Sequence, residues 1–508
     1  MKTGKIWTIL SVTVLVLLVA AEALATVSLL KLNMLPTMYV MVLAAVMVLV
    51  AAGIALLLFV KRKGTVGTTR RVVACVLALL VVCLCGLVTK YTTEALKTVN
   101  NVSTGEKVTS IRNMYVLVRA EDPAKTLKDT TGYSFAAIEN YEAARVEKIT
   151  ALIGETSGTM PELAGYTKAS ELADALLGNT VDAIIMNGAS IALLIEEEAY
   201  ETFLDKTKIL YTIAYDELDD KETKPTEATK PADPEKNVTN TPFAVYVSGS
   251  DTRSSILDVS RSDVNILVVV NPVSKQVLLL NTPRDYFVPN PAGDGALDKL
   301  THCGLYGVDC SMEALEQLYD TKIDYYGQIN FTGFETLIDA IGGVTVYSDQ
   351  SFTTSKVHIK KGENHLNGQQ ALGFARERYQ VIGGDNGRGK NQMKVIKAVI
   401  EKLTTGTTVL SNYSAILSSL EGMFSTSLQT SDISMLVKMQ LADLSKWEIF
   451  SYAVIGTGGS EKTYSAPGHN AYVMYPNEES VATAAALVDK ILAGELLTKE
   501  DVAVPESK

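Results

Sequence analysis

The chain runs to 508 residues, more than one ordinary domain holds, and 47% of them are hydrophobic. Its formal net charge of −11 conceals a division, because residues 1–97 carry +8 and leave −19 on residues 98–508. So acidic a body makes a poor surface for nucleic acid; no nucleic-acid partner is expected, and a local cluster of arginines in it needs another explanation.

The apolar excess sits at the front. Between Lys5 and Lys31 only Glu22 is charged, between Lys31 and Lys61 nothing is, and 18 uncharged residues separate Arg71 from Lys90. Each run can cross a bilayer core, which takes roughly 20 apolar residues in a helix. Lys2 and Lys5 precede the first span, and Lys61, Arg62, Lys63, Arg70 and Arg71 crowd the second loop, against Lys31 in the first. Cytoplasmic loops retain Lys and Arg, so the N-terminus and second loop read as cytoplasmic and everything beyond about Lys90 as extracytoplasmic: a multi-pass protein of the cell membrane, with the lipid bilayer as a partner. Ala23-Leu24-Ala25 resembles a signal-peptidase site, but cleavage there would leave two spans and the same orientation. Glu22 is expected near the outer boundary, reaching for headgroups. Cys75, Cys83 and Cys85 read as apolar fillers.

Residues 98–215 alternate short apolar runs (Tyr115 to Val118, Ala183 to Met186, Ile209 to Ile213) with helix-like FAAIENYEAARVEKITALI and ASELADALL, which predicts a small α/β accessory domain. No chemical constellation is legible in it. Residues 216–242 are rich in Lys, Glu, Thr and Pro and cannot bury enough surface to fold, so they read as a linker. Residues 243–495 form a second α/β unit, followed by a tail, 496–508. Its predicted strands are FAVYVSG, DVNILVVVN, QVLLLN, DYYGQIN, VTVY and WEIFSYAVI, and its predicted helices SMEALEQLY, FTGFETLIDAI, GQQALGFAR and NQMKVIKAVIEKL, a mixed sheet covered by helices.

Between the first two of these strands lie Asp251, Arg253, Asp258, Arg261 and Asp263, charges of alternating sign at a sheet edge where ligands tend to sit. If the second strand starts by Arg261, then Arg261 and Asp263 share a face, because strand side chains alternate with period two. Two carboxylates and an arginine are not buried together without compensation. A divalent cation on Asp251 and Asp263 with an anion on Arg261 would supply it; so would a salt-bridge cluster, and this stretch alone leaves both open. Arg284 lies just past the third strand, Arg376 and Arg378 end a helical pattern, and Arg388 falls in a Gly-rich loop with Gln392 four residues on. Singly each reads as solvated surface. Together these guanidinium groups suit a diphosphate, which they pair in bidentate fashion, and Mg²⁺, or Mn²⁺ in its place, takes one or two carboxylates plus phosphate oxygens. In THCGLYGVDC, Cys303 and Cys310 could form a bridge outside the cytoplasm or stay free thiols, and both remain open. His302 has no paired CxxC to make a zinc site with it.

The blocks SGSDTR, VSRSDVNILVVVNP, LLLNTPRDYF, YYGQINFTGFETLIDAIGGVTV, HLNGQQALGFARERY, GDNGRGKNQMKVIKAVI and YVMYPN, over roughly half the chain, resemble the LytR-CpsA-Psr family in order and spacing. Three spans and an accessory domain resemble its CpsA branch, associated with capsule assembly. The resemblance implies a Mg²⁺-dependent extracytoplasmic phosphotransferase that moves an undecaprenyl-diphosphate-linked glycan, in this branch capsular polysaccharide, onto peptidoglycan through a phosphodiester bond, with capsule-assembly proteins as further partners. Carried over by motif, Asp251 and Asp263 fall on the metal ligands. Arg261, Arg284, Arg376, Arg378, Arg388 and Gln392 fall on the diphosphate contacts, and Asp263 and Arg261 on the catalytic residues. The family encloses its prenyl chain between sheet and helices, where FTGFETLIDAI and MKVIKAVI could contribute, although a helix stripe is more often ordinary core. Lys390 and Asn391 depart from the basic residues that many members have before the Gln. A pyrophosphatase with water as acceptor and a non-enzymatic regulator of capsule assembly are the alternatives.

Overall fold

The structure, a computed structural model, describes residues 2–60, 65–102, 112–218, 237–250, 260–405, 416 and 422–503. It is a mixed α/β protein with three long apolar helices at its N-terminus: α1 (Lys2–Leu32), α2 (Thr37–Phe59) and α3 (Thr65–Val102). Each holds a segment long and apolar enough to cross a membrane, Ile6–Leu32, Thr37–Phe59 and Gly67–Lys97. Their shared core is narrow, built on Leu18, Ile54, Leu58, Ala74 and Ala78, and the two alanines one turn apart let the helices approach closely. Glu22 does not reach outward as expected. It shares one helix face with Leu18 and Ala25, which point at the neighbouring helices, and only 7% of it is exposed.

The short turn after α1 touches the second α/β unit. Met34 packs on Ile433 and Val437, Ser434 Oγ donates to the Leu32 carbonyl at 3.4 Å, and Lys438 Nζ donates to Asn33 Oδ1 at 3.4 Å.

Residues 113–214 build a five-stranded sheet from β1 (Asn113–Arg119), β2 (Phe135–Ile138), β3 (Leu163–Tyr166), β4 (Ala183–Asn187) and β5 (Thr207–Ala214), in the order β3-β2-β4-β1-β5. Helix α4 (Ala143–Ser157) packs Ile149 and Ile153 on one face, while α5 (Ala169–Leu177) and α6 (Gly188–Leu194) pack Leu172, Leu176 and Ile191 on the other. The stretch FAAIENYEAARVEKITALI, expected to be helical throughout, is not. Phe135–Ile138 is a strand paired in parallel with β3 and β4, and Asn140 and Glu142, at φ of 57° and 54°, break the chain before α4 begins. All four strand residues are buried on both faces, and a four-residue apolar run cannot be assigned by periodicity alone. Short helices α7 (Phe203–Lys206) and α8 (Tyr215–Leu218) flank β5.

The second sheet uses β6 (Phe243–Ser250), β7 (Ser262–Asn271) and β8 (Gln276–Asn281) as an antiparallel meander. A hairpin of β9 (Phe287–Pro289) and β10 (Leu297–Lys299) follows, leading into α9 (Leu300–Cys303) and α10 (Val308–Tyr319). Strand β11 (Tyr325–Asn330) then pairs in parallel with β6 and runs into α11 (Phe331–Ala340). Four short strands, β12 (Val344–Ser348), β13 (Phe352–Thr353), β14 (His358–Ile359) and β15 (Gly362–Leu366), precede α12 (Gly368–Arg376) and α13 (Gly384–Thr404). After β16 (Phe424–Thr426) and α14 (Thr430–Asp443), strand β17 (Glu448–Ala453) closes the sheet parallel to β8, giving the order β16-β11-β6-β7-β8-β17. A last hairpin, β18 (Gly456–Thr463) and β19 (Ala466–Pro476), leads to α15 (Glu478–Leu492). In β7, Leu267 and Val269 face α10 and α15 while Ile266 and Val268 face α13, so the centre of the sheet is covered on both sides. This pairing brings the carboxyl ends of β6, β8 and β11 and the start of β7 to one edge.

Candidate functional site

At that edge a cavity of about 510 Å³ opens between the sheet and the helices α11, α12 and α13. Its walls differ in character. Val264, Ile329, Phe331, Phe334, Val395 and Ile396 make an apolar part, Asp263, Arg284, Arg376, Arg378, Arg388 and Gln392 make a charged part, and Glu335, Lys356 and Glu377 also line it. The apolar group includes members of both helical stretches, FTGFETLIDAI and MKVIKAVI, whose stripes the sequence left between core and lining.

The charged part is tightly paired. Arg284 Nη1 lies 2.5 Å from Asp263 Oδ1, with both side chains mostly buried, and Thr301 Oγ1 donates to the same oxygen at 3.4 Å. Asp285 meets Arg284 at 3.8 Å and Lys299 at 3.1 Å. Arg388 pairs with Asp385 at 2.5 Å. Arg376 stacks on the Phe331 ring at 4.3 Å, joining the charged part to the apolar part. Arg378 lies 4.8 Å from the Tyr379 ring centroid and donates to its hydroxyl at 2.6 Å, a bond that holds Arg378 above its ordinary pKa. Burial pulls Arg388 below its ordinary value against the charges of Asp385 and Asp263, with Arg284 and Arg378 adding to the depression. Burial also pushes Asp385 up, although Arg388 opposes it. Paired cations in a partly dry cavity hold a site ready for an anion that can replace the carboxylates.

Of the residues singled out in the sequence, Asp263, Arg284, Arg376, Arg378, Arg388 and Gln392 line this one cavity. Asp251 lies outside the described residues. Arg261 is not in the lining: its guanidinium pairs with Glu196 of the first α/β unit at 2.5 Å. The shared face expected for Arg261 and Asp263 fails because β7 begins at Ser262, so the period-two rule does not reach Arg261. Arg388 is not in a loop. Helix α13 starts at Gly384, after Gly383 at φ 87°, and carries Asp385 in its first turn, where a negative charge suits the helix N-terminus. Its glycines serve close packing, since a Cβ on Gly389 would meet the Asn281 side chain at the end of β8. Lys390 faces solvent and Asn391 donates to the Phe374 carbonyl at 3.4 Å, so the two departures from the family pattern stand outside the cavity. Cys303 and Cys310 are free thiols, both buried, and His302 Nδ1 pairs with Asp298 at 2.7 Å.

For a divalent cation the structure offers half of the expected pair. Among the described residues the contacts of Asp263 fall on Oδ1, which leaves Oδ2 as one carboxylate oxygen for a metal, and this fits the one or two carboxylates that Mg²⁺ takes beside phosphate oxygens. Sequence reasoning missed Asp285, Lys299, Thr301 and Asp385. Asp385 had a signal, three residues before Arg388, which becomes an i,i+3 pair once the segment is read as helix. Thr301 and Lys299 had none.

Fold and site together define an α/β protein with an amphiphilic cavity, part charged and part apolar. The model of the LytR_cpsA_psr family matches residues 210–481, more than half of the chain, and the chain belongs to that family. It is 34% identical over 231 residues to a polyisoprenyl-teichoic acid–peptidoglycan teichoic acid transferase, TagU, of Bacillus cereus, covering 45% of this chain and 73% of that protein. The Enterococcus faecalis protein of the same name is 34% identical over 194 residues, covering 38% of this chain and 63% of the relative. The crystal structure of B. subtilis TagV shares 25% identity, with a TM-score of 0.42, over 51% of this chain and 99% of that one.

Proposed function

We propose that this protein is a membrane-anchored, extracytoplasmic phosphotransferase that moves a polyprenyl-diphosphate-linked glycan, a capsular polysaccharide, onto peptidoglycan. The observation that carries the reading is the two-part cavity: guanidinium groups suit a diphosphate and the apolar walls suit a prenyl chain, so one ligand with both groups satisfies the two parts. Support comes also from the relatives, named as transferases of polyisoprenyl-linked teichoic acid to peptidoglycan.

In this reading Arg284, Arg376, Arg378 and Arg388 hold the diphosphate, with Gln392 beside Arg388 on the same helix face. The acceptor hydroxyl attacks the phosphorus that bears the glycan. A new P–O bond forms, the P–O bond to the lipid phosphate breaks, and the lipid monophosphate leaves. Phosphoryl transfer needs mostly positioning and charge neutralisation, which the arginines supply. Asp263, with Asp251, would hold Mg²⁺ or Mn²⁺, which when bound would neutralise further phosphate charge. The hydroxyl proton passes to a site carboxylate through water, since an arginine keeps its proton in proteins.

The test is to incubate the full-length protein with lipid-linked glycan, Mg²⁺ and peptidoglycan, and to assay both products. A covalent glycan–peptidoglycan adduct with prenyl monophosphate is expected, suppressed by EDTA and restored by Mg²⁺ or Mn²⁺. Asp263→Ala and Arg376→Ala should each lower turnover by about 100-fold or more. Phosphate release without an adduct would instead make the protein a pyrophosphatase, and attachment that survives both substitutions would leave it a non-enzymatic factor.

A further inference from the structure

One helix of the first α/β unit packs on the second unit close to the start of β7. Ala189 of α6 joins the core of the second unit, with Ala192 and Leu193 packed against it, beside Leu305 and Tyr306. The segment carrying those two residues lies against the start of β7, because a Cβ on Gly304 would come within 2.7 Å of the Ser262 amide nitrogen and 2.8 Å of the Ser260 carbonyl. A continuous packed path therefore runs from α6 through Gly304–Tyr306 to Ser260 and Ser262. At its end Glu196, just beyond the C-terminus of α6, meets Arg261 at 2.5 Å. A carboxylate there is disfavoured by the helix dipole, whose C-terminal end is negative, and Arg261 compensates it.

The pair also fixes where Arg261 is. Arg284, Arg376, Arg378 and Arg388 line the cavity and Arg261 does not. Two residues of extended chain separate it from Asp263, at most about 7 Å, which is within the sweep of an arginine side chain. Its Nε is buried and lacks a hydrogen-bond partner among the described residues, so Glu196 satisfies only part of the guanidinium.

We propose that Glu196 is a positioning residue that latches Arg261 outside the cavity, and that a lipid diphosphate must win Arg261 from it to engage the full set of arginines. The accessory unit thereby sets how tightly the site takes its anion. The inference rests on reading the cavity as a lipid-diphosphate site. The side chains of Arg261 and Glu196 are 26% and 35% exposed, so solvent screens the latch and its effect is modest.

The experiment is calorimetric titration of the full-length protein in detergent with geranylgeranyl diphosphate and Mg²⁺, comparing wild type, E196Q, E196D, R261A and the E196Q/R261A double variant, with melting curves to confirm folding. E196Q is expected to lower the Kd by about two- to fivefold, and E196D, which keeps the charge, to stay near wild type. In the transfer assay E196Q should lower KM for the lipid-linked glycan and leave kcat unchanged. R261A should abolish the gain from E196Q. An unchanged or weaker Kd in E196Q overturns the latch. So does equal tightening by E196Q with and without Arg261, which would show a plain charge effect. A wild-type protein with no affinity for geranylgeranyl diphosphate sinks the lipid-diphosphate reading and the latch with it.

Discussion

Asp298 shows how a residue outside the cavity governs one inside it. It is fully buried on β10, accepts from Asn290 Nδ2 at 3.0 Å and from the Ser465 amide and hydroxyl, and pairs with His302 at 2.7 Å. Just after it in sequence, Lys299 and Thr301 bond Asp285 and Asp263. Burial alone would raise its pKa; the His302 charge and the hydrogen bonds from His302, Ser465 and Asn290 outweigh burial and hold it below the usual carboxylate range. A carboxylate whose pKa is depressed on folding contributes stability that is present above the unfolded value near 3.9 and lost as pH falls through the folded value. The wild type should therefore lose stability below about pH 4. Asp298→Asn should cost about 1.5–3 kcal/mol at pH 7 and flatten that acid dependence, as read by denaturant unfolding at several pH values. An equally steep acid loss in the variant would assign the effect to other groups. None of this network was legible beforehand. His302 drew notice for the cysteines beside it, while its partner lies four residues earlier and the other bonds come from residues 290 and 465.

At the scale of elements, period and end signals were readable wherever one strand or helix decided the pattern. DVNILVVVN, QVLLLN and GQQALGFAR formed as expected because their apolar runs and caps agree with their surroundings: Asn367 accepts from the Gln370 amide to start α12. The failures have a common cause. Gly-rich GGDNGRGKNQ suggested a loop because glycine weakens an isolated helix, but here glycine is what allows α13 to approach the end of β8. The hairpin β18–β19 was missed likewise, since GTGGSEKT carries almost no apolar signal and is held by its pairing with β19. Gly389→Ala tests the packing account. Local propensity predicts a gain in stability of up to about 1 kcal/mol, whereas the clash with Asn281 predicts a loss of about 1–3 kcal/mol. We expect the loss, together with weaker geranylgeranyl diphosphate binding, because the displaced helix carries Arg388 and Gln392. A melting temperature that rises would favour propensity and count against the packing role.

In the whole molecule, the parts most legible in sequence are those set by composition, and the least legible are the contacts between parts. Three apolar runs announced three helices, but nothing in NMLP or in SMLVKMQ indicated that the turn after α1 would pack on α14. That contact has a consequence for topology. Whichever side of the membrane holds the second α/β unit also holds the turn at Asn33, and the charge distribution separately predicts that the Lys61–Lys63 loop is on the opposite, cytoplasmic side. Contact and charge therefore make one prediction from independent grounds. Single cysteines at Lys31, Lys446 and Lys63 can be labelled with a membrane-impermeant maleimide, in intact cells and after permeabilisation. The native cysteines in α3 give a membrane background, and Cys303 and Cys310 are buried. Lys31→Cys and Lys446→Cys should label in intact cells and Lys63→Cys only after permeabilisation. If Lys31→Cys and Lys446→Cys differ, the packing of the first turn on α14 is wrong. If all three invert together, the contact stands but the cavity faces the cytoplasm, and the protein cannot meet peptidoglycan.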